Sequence, residues 1–179
     1  LGFIFDNCDK LAKEDLKVLL KDISLEAAEV NLVCSCHHDD LLKGFISLTD
    51  EGTWNRENIK GSVADDPLTG WLLTGKTEVC CEEKHFQRLR DNLILAESLP
   101  HLRTIAVNGK IFGNSGSTVV QELAFSLSLG AEYLTQLTGL GIPTDEVAKG
   151  ILFNLSIGNN YFFEIAKLRA GRLLWSQIV

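Results

Sequence analysis

Asn160-Tyr161-Phe162-Phe163-Glu164-Ile165-Ala166-Lys167-Leu168-Arg169-Ala170-Gly171-Arg172-Leu173-Leu174-Trp175 is the stretch on which the reading of the fold turns. Phe162, Ile165, Ala166, Leu168, Arg169, Leu173 and Trp175 fall on one face at helical spacing, apolar but for Arg169. Glu164 with Leu168, and Lys167 with Gly171, sit one turn apart. No proline interrupts the run, and Ile165 is its one β-branched residue, so the spacing predicts a strong helix.

Working outward, Gly158-Asn159-Asn160 reads as a turn, and the apolar Ile151–Ile157 as a strand before it. Pro143-Thr144-Asp145-Glu146 opens a short helix that Gly150 ends. Thr118 with Gln121 carries a capping-box signature. Val120, Leu123, Ala124, Leu127, Ala131 and Leu134 then hold helical spacing as far as Leu137. Arg103–Val107 is strand-like, and Asn108–Ser117 is a Gly-, Asn- and Ser-rich loop. Strand, helix, strand, helix in this order implies parallel strands joined by a right-handed crossover, with 103–107 and 151–157 in one sheet.

The first half is less regular. Asp9–Ile23 is amphipathic, with Asp9 as an expected N-cap. Val30–Cys36 reads as a buried strand, Phe45–Leu48 as another short strand, and Thr49–Asn58 as a loop. Asp66-Pro67 opens a helix through Leu72 that stops at Gly75. Glu82–Leu99 is a long helix closed by Pro100. No linker composition divides the chain, so one domain is expected over 1–179.

Composition narrows the function classes. With 45% hydrophobic and 23% charged residues, 179 residues can bury a real core. A net charge of −7 argues against nucleic acid as a partner. No apolar run reaches the roughly 20 residues of a membrane span, and no signal peptide is visible. Five cysteines, two of them adjacent, make a poor disulfide framework, so reduced thiols and a cytoplasmic location are expected. The chain starts at Leu1 and stops inside a helical pattern at Val179, and is expected to be a piece of a longer protein.

Four groups of residues invite a chemical reading. Cys34-x-Cys36-His37-His38 has metal-type ligands, but Cys34 and Cys36 share one strand face, His37 points away, and no second ligand pair follows at metal spacing. Two small buried cysteines at a strand end explain it better. Gly109–Gly116 could cradle an anion before a helix N-terminus, yet its spacing fits neither the dinucleotide fingerprint nor a P-loop. Asp65-Asp66 and Glu82-Glu83 stand at helix starts, where capping accounts for them. His85 and His101 have no evident nucleophile partner.

The 160–175 helix closely resembles the Phe-Phe-Met-Glu-Ile-Ala-Lys-Leu-Arg-Ala-Ala-Arg-Leu-Leu-Trp helix of the methylmalonyl-CoA mutase family, whose members use adenosylcobalamin to rearrange acyl-CoA carbon skeletons. The similarity extends back through Gly130-x-Glu132-Tyr133-Leu134, Gln121-Glu122-Leu123-Ala124 and Arg103-Thr104-Ile105 to Gly116. It extends more loosely to Gly61-Ser62-Val63-Ala64-Asp65-Asp66-Pro67-Leu68, so residues 61–76 and 103–179 carry it. The resemblance implies an α/β fold that is part of a (β/α)8 TIM-type barrel with parallel strands. A full barrel needs about 250 residues. The family's separate cobalamin domain, with its Asp-x-His-x-x-Gly motif, has no counterpart here.

The departures carry the functional expectation. Catalytic chains of the family have Ser-Gly-Tyr-His after this strand, and the His hydrogen-bonds the thioester carbonyl. Here the matching residues are Asn108-Gly109-Lys110-Ile111, so Ile111 stands at the His position. Losing one such donor costs two to three orders of magnitude in rate, about 3 kcal/mol. Catalytic chains have Arg-Leu-Ser-Phe-Phe on the next strand, whose Arg and Ser hold the CoA. This chain has Gly150 and Leu152 at those two positions. The family's Thr-Ile-Gln-Asn segment and its substrate-carboxylate Arg find no counterpart before Leu102. The resemblance therefore implies the non-catalytic small (β) subunit, with no catalytic or cofactor-binding residue of its own. Its partner would be the catalytic large subunit in a heterodimer, and adenosylcobalamin would belong to the complex. Two rivals stay open: an active acyl-CoA mutase of altered substrate choice in which Lys110 replaces the His, and an anion-binding α/β module using the Asn108–Ser117 loop.

Overall fold

The computed structural model describes residues 1–5, 13–34, 38–75 and 82–179. Five strands, β1 (Gly2–Phe5), β2 (Val30–Cys34), β3 (Lys60–Asp65), β4 (His101–Asn108) and β5 (Ile151–Asn154), form one parallel sheet in the order β1-β2-β3-β4-β5. Sequential order with every strand parallel is the wall of a (β/α) barrel. The helices are α1 (Lys13–Leu19), α2 (His38–Glu51), α3 (Pro67–Thr74), α4 (Glu82–Leu95), α5 (Lys110–Asn114), α6 (Val119–Gly139), α7 (Thr144–Gly150) and α8 (Tyr161–Ile178). The chain divides into two compact units, residues 1–65 with 87–105 and residues 66–86 with 106–179.

In the first unit the helix-covered face of the sheet is apolar. Val30, Leu32, Cys34, Val63 and Leu102 pack with Leu16 and Leu20, and with Leu41, Leu42, Phe45 and Leu48 of α2. This core explains why Phe45–Leu48 is not the short strand the sequence suggests. Leu41, Leu42, Phe45 and Leu48 recur at helical spacing, and the stripe they form is buried. Thr49 to Glu51 accordingly continue the helix. Between β2 and β3 the backbones approach closely, and a Cβ added to Gly61 would lie 1.9 Å from the Val30 carbonyl oxygen. Strands β1 and β3 were not anticipated, because Gly2–Phe5 is too short and Lys60–Asp65 too polar to stand out. Cys34 is disulfide-bonded, which corrects the reduced-thiol expectation at that residue. The other four cysteines, His37 and the Asp9 cap lie outside the described residues.

The second unit follows its sequence signals more closely. Asp66 caps α3 by accepting from Thr69 N–H, Pro67 opens it, and Gly75 ends it at φ 64°, the left-handed conformation glycine adopts without strain. Thr118 and Gln121 close the capping box of α6. Strand β5 ends at Asn154, three residues short of the expected Ile157, because Ser156 N–H is taken by a side chain of α6. The expected Asn108–Ser117 loop contains the short helix α5.

Helix α8 departs most from expectation. Its buried side chains are Glu164 and Lys167, while Phe162 is 79% exposed and Ile165, Leu168 and Leu173 are also exposed. The stripe against α6 is narrow, and a Cβ on Gly171 would touch Leu123. The reason is a carboxylate on α6 that gives Lys167 a partner under cover.

Candidate functional site

The site is assembled at the carboxyl ends of β4 and β5, within the second unit. At the end of β4, Asn108 donates its backbone N–H to Asp66 Oδ2 at 2.7 Å. Asp66 Oδ1 accepts from the Tyr133 hydroxyl at 2.7 Å, and the same hydroxyl oxygen accepts from Leu68 N–H at 3.1 Å. A residue the sequence marks as a simple helix cap thus also locks the end of β4 to α6. Asn154 donates through Nδ2 to Asn108 Oδ1 at 2.9 Å, joining the ends of the two strands. Asp65 behaves differently from its neighbour. It is buried at the end of β3, paired with Arg88 and lying 3.4 Å from His38 Nδ1, so it is not the capping residue expected.

Behind the strand ends lies a buried charge cluster. Lys167 Nζ lies 2.8 Å from Glu122 Oε2 and 2.7 Å from Glu164 Oε2, and donates to Ser156 O at 2.7 Å. The Lys167 and Glu122 side chains are 1% and 2% exposed. Glu122 Oε1 accepts from Ser156 N–H at 2.6 Å, so both backbone groups of Ser156 are clamped. Burial pushes the Glu122 carboxyl up, but Lys167 and the Ser156 N–H and hydroxyl outweigh it and hold it below its ordinary value. Burial pushes the Lys167 ammonium down, but its hydrogen bonds to Glu122 and Glu164 keep it above its ordinary value. Spacing on α8 alone could not reveal this cluster, since Glu122 is 45 residues from Lys167.

Each residue singled out from the sequence has a definite place. Ile111 is the second residue of α5, directly beyond the end of β4, and its side chain is half-buried. It offers neither donor nor acceptor. Lys110 beside it is exposed and makes no ion pair among the described residues. Gly150 ends α7 just before β5, and Leu152 is the second residue of that strand. Gly150 is thus four residues before Asn154, roughly 13 Å along the strand, so the structure does not bring it together with Ile111. Within the Gly109–Gly116 segment, Gly109 and Gly113 are closely packed, whereas Gly116 is open at φ 92°. A Cβ on Gly109 would sit 2.0 Å from Ser126 Oγ, and one on Gly113 would sit 2.1 Å from Ser156 Oγ.

Of the metal-type cluster, His38 opens α2 and faces Asp65, and no group of three metal-type ligands occurs among the described residues. His85 is buried on α4, and His101 is exposed at the start of β4. No described helix is long and apolar enough to cross a membrane.

Comparison with known proteins assigns the architecture. Residues 11–179 match the family model described as methylmalonyl-CoA mutase. The chain is 37% identical over 167 residues to the methylmalonyl-CoA mutase small subunit of Porphyromonas gingivalis, covering 93% of this chain and 26% of that protein. It is 32% identical to the methylmalonyl-CoA mutase of Rhizobium meliloti and 29% identical to the human mitochondrial methylmalonyl-CoA mutase, covering 93% of this chain in each case and 23% and 22% of those proteins. It spans about a quarter of the length of these curated relatives. The match includes residues 11–60, to which the resemblance read from sequence did not extend. A parallel sheet in sequential strand order, the crossover helices and a match over nearly the whole chain agree: the chain belongs to the methylmalonyl-CoA mutase family.

Proposed function

We propose that this chain is a barrel segment of the non-catalytic small subunit of an adenosylcobalamin-dependent methylmalonyl-CoA mutase. Its role is to support the catalytic large subunit, which interconverts methylmalonyl-CoA and succinyl-CoA. The observation that carries this reading is the side-chain chemistry along β4 and β5. On the sequence resemblance, Ile111 takes the position of the family's thioester donor, and Gly150 and Leu152 those of its CoA contacts. An alkyl side chain cannot stabilise negative charge developing on a carbonyl oxygen. The scaffold that would present those groups is intact, with Asn108 held by Asp66 and Ser156 clamped by Glu122 and Lys167. A kept scaffold without its reactive side chains fits a role in assembly.

Among the described residues, the donors do not fit a cobalamin site. The described histidines are spent on Asp65, buried on α4, or set at the start of β4. No step through the cofactor is therefore assigned to these residues, and cobalamin belongs in this reading to another part of the complex. A cytoplasmic location and one barrel domain shared by both compact units complete the proposal.

One observation favours an active mutase instead. Lys110, free of ion pairs among the described residues, adjoins Ile111 and could donate in place of the His. The two readings separate in one assay. The full-length chain, purified alone and given adenosylcobalamin and methylmalonyl-CoA, is expected to form no succinyl-CoA above background. Turnover that disappears in Lys110→Ala would replace the assembly reading with the active one.

A further inference from the structure

Asn108-Gly109, where β4 gives way to α5, is a dipeptide with a chemistry of its own. An asparagine followed by glycine is prone to deamidation, because glycine has no Cβ to shield its backbone nitrogen. In that reaction the Gly109 nitrogen bonds to the Asn108 side-chain carbonyl carbon. Its proton passes to the departing amide group, and ammonia leaves a cyclic imide. Water then opens the ring at either carbonyl, giving aspartate or isoaspartate at position 108. Water is the one co-reactant.

The fold opposes each part of this step. Gly109 donates its N–H back to Val107 O at 3.1 Å, which occupies the nitrogen that must attack. The Asn108 side chain reaches across to β5, where its Oδ1 accepts from Asn154 Nδ2 at 2.9 Å, rather than folding over Gly109. The Asn108 backbone N–H is held by Asp66 Oδ2 at 2.7 Å, and Asp66 is fixed in turn by the Tyr133 hydroxyl. Gly109 is buried, and a Cβ there would lie 2.0 Å from Ser126 Oγ and 2.9 Å from Leu155 Cδ2, so this peptide has little room to rotate. All of these residues belong to the second unit. We propose that Asn108 is a latent deamidation site, protected by the fold, and that the bond from Asn154 is the latch whose opening starts the reaction. The isoaspartate product routes the backbone through the side-chain carbon and adds a methylene between β4 and α5. The end of β4 then no longer sets the place of α5 and Ile111.

The test incubates the full-length chain in mildly alkaline buffer, natively and in unfolding urea. Deamidation is followed by peptide mass spectrometry at Asn108 and at Asn114, the exposed end of α5, as an internal reference. The expected result is slow conversion of Asn108 in the native protein and fast conversion in urea. Asn154→Leu, which keeps the side-chain size and removes the donor, should speed native conversion of Asn108 about three- to tenfold, the worth of one hydrogen bond, and leave Asn114 unchanged. Native conversion of Asn108 as fast as in urea overturns the protection. Equal Asn108 rates in wild type and Asn154→Leu overturn the latch. Acceleration of Asn108 and Asn114 alike shows general loosening of the fold and overturns the latch as well.

Discussion

Replacing Lys167 with methionine keeps most of the side-chain volume and removes the ammonium from the cluster behind β5. Two carboxylates then remain under cover, Glu122 nearly fully buried and Glu164 largely so, and Ser156 O loses its donor. Removing one partner of a buried ion pair costs about 3–5 kcal/mol. In a protein of this size each kcal/mol moves the melting midpoint by about 2–4 °C, so Lys167→Met is expected to melt roughly 10 °C lower. Glu122→Gln leaves Lys167 with Glu164 and can still accept from Ser156 N–H, so it should cost less. The double variant should cost less than the sum of the singles, with a coupling of about 0.5–3 kcal/mol. Urea unfolding followed by circular dichroism measures all four proteins. A Lys167→Met protein as stable as wild type, or strictly additive singles, would refute the claim that this cluster clamps α6, α8 and the segment after β5.

Other consequences follow from the same geometry. Glu122 has a folded pKa below its ordinary value of 4.5, so its stabilising contribution is present above pH 4.5 and is lost as pH falls through the folded value. Glu122→Gln should therefore flatten the acid limb of a stability-versus-pH profile. Lys167 is raised above 10.5, so its contribution holds below pH 10.5 and fades as pH rises through the folded value, a basic limb that Lys167→Met should lack. Gly61→Ala places a methyl group 1.9 Å from the Val30 carbonyl oxygen and is expected to cost about 1–3 kcal/mol, with faster hydrogen exchange at residues 30–34. Restoring one donor with Ile111→His should leave the chain without turnover in a succinyl-CoA assay, because Gly150 and Leu152 remain.

The second unit was more legible from sequence than the first, for a physical reason. Its signals are local: Asp66-Pro67 with Gly75, Thr118 with Gln121, and the spacing through Leu123 and Leu134 each specify a backbone state within a few residues. Strand β3 was not legible, since Gly61, Ser62 and Asp65 have no strand preference and are held by neighbours 31 to 41 residues away. Helix α8 was placed correctly, but its buried side was not. Periodicity assigns the apolar face to the interior, whereas Glu122 on another helix makes the Glu164–Lys167 stripe the buried one. The candidate site divides along the same line. Ile111, Gly150 and Leu152 were found by matching residues to a family pattern. The bonds among Asp66, Tyr133, Asn108 and Asn154 join residues up to 67 positions apart and needed coordinates.

The central claim is that this chain serves a catalytic partner rather than catalysing by itself. Its exposed α8 face, with Phe162, Leu168 and Leu173 uncovered, adds apolar surface that a specific interface of about 1,000 Å² or more could cover. The direct measurement is size-exclusion chromatography with light scattering on the full-length chain mixed with the catalytic mutase chain at micromolar concentration. A stable one-to-one complex is the predicted result. Separate elution of the two chains, with the catalytic chain fully active alone, would contradict it.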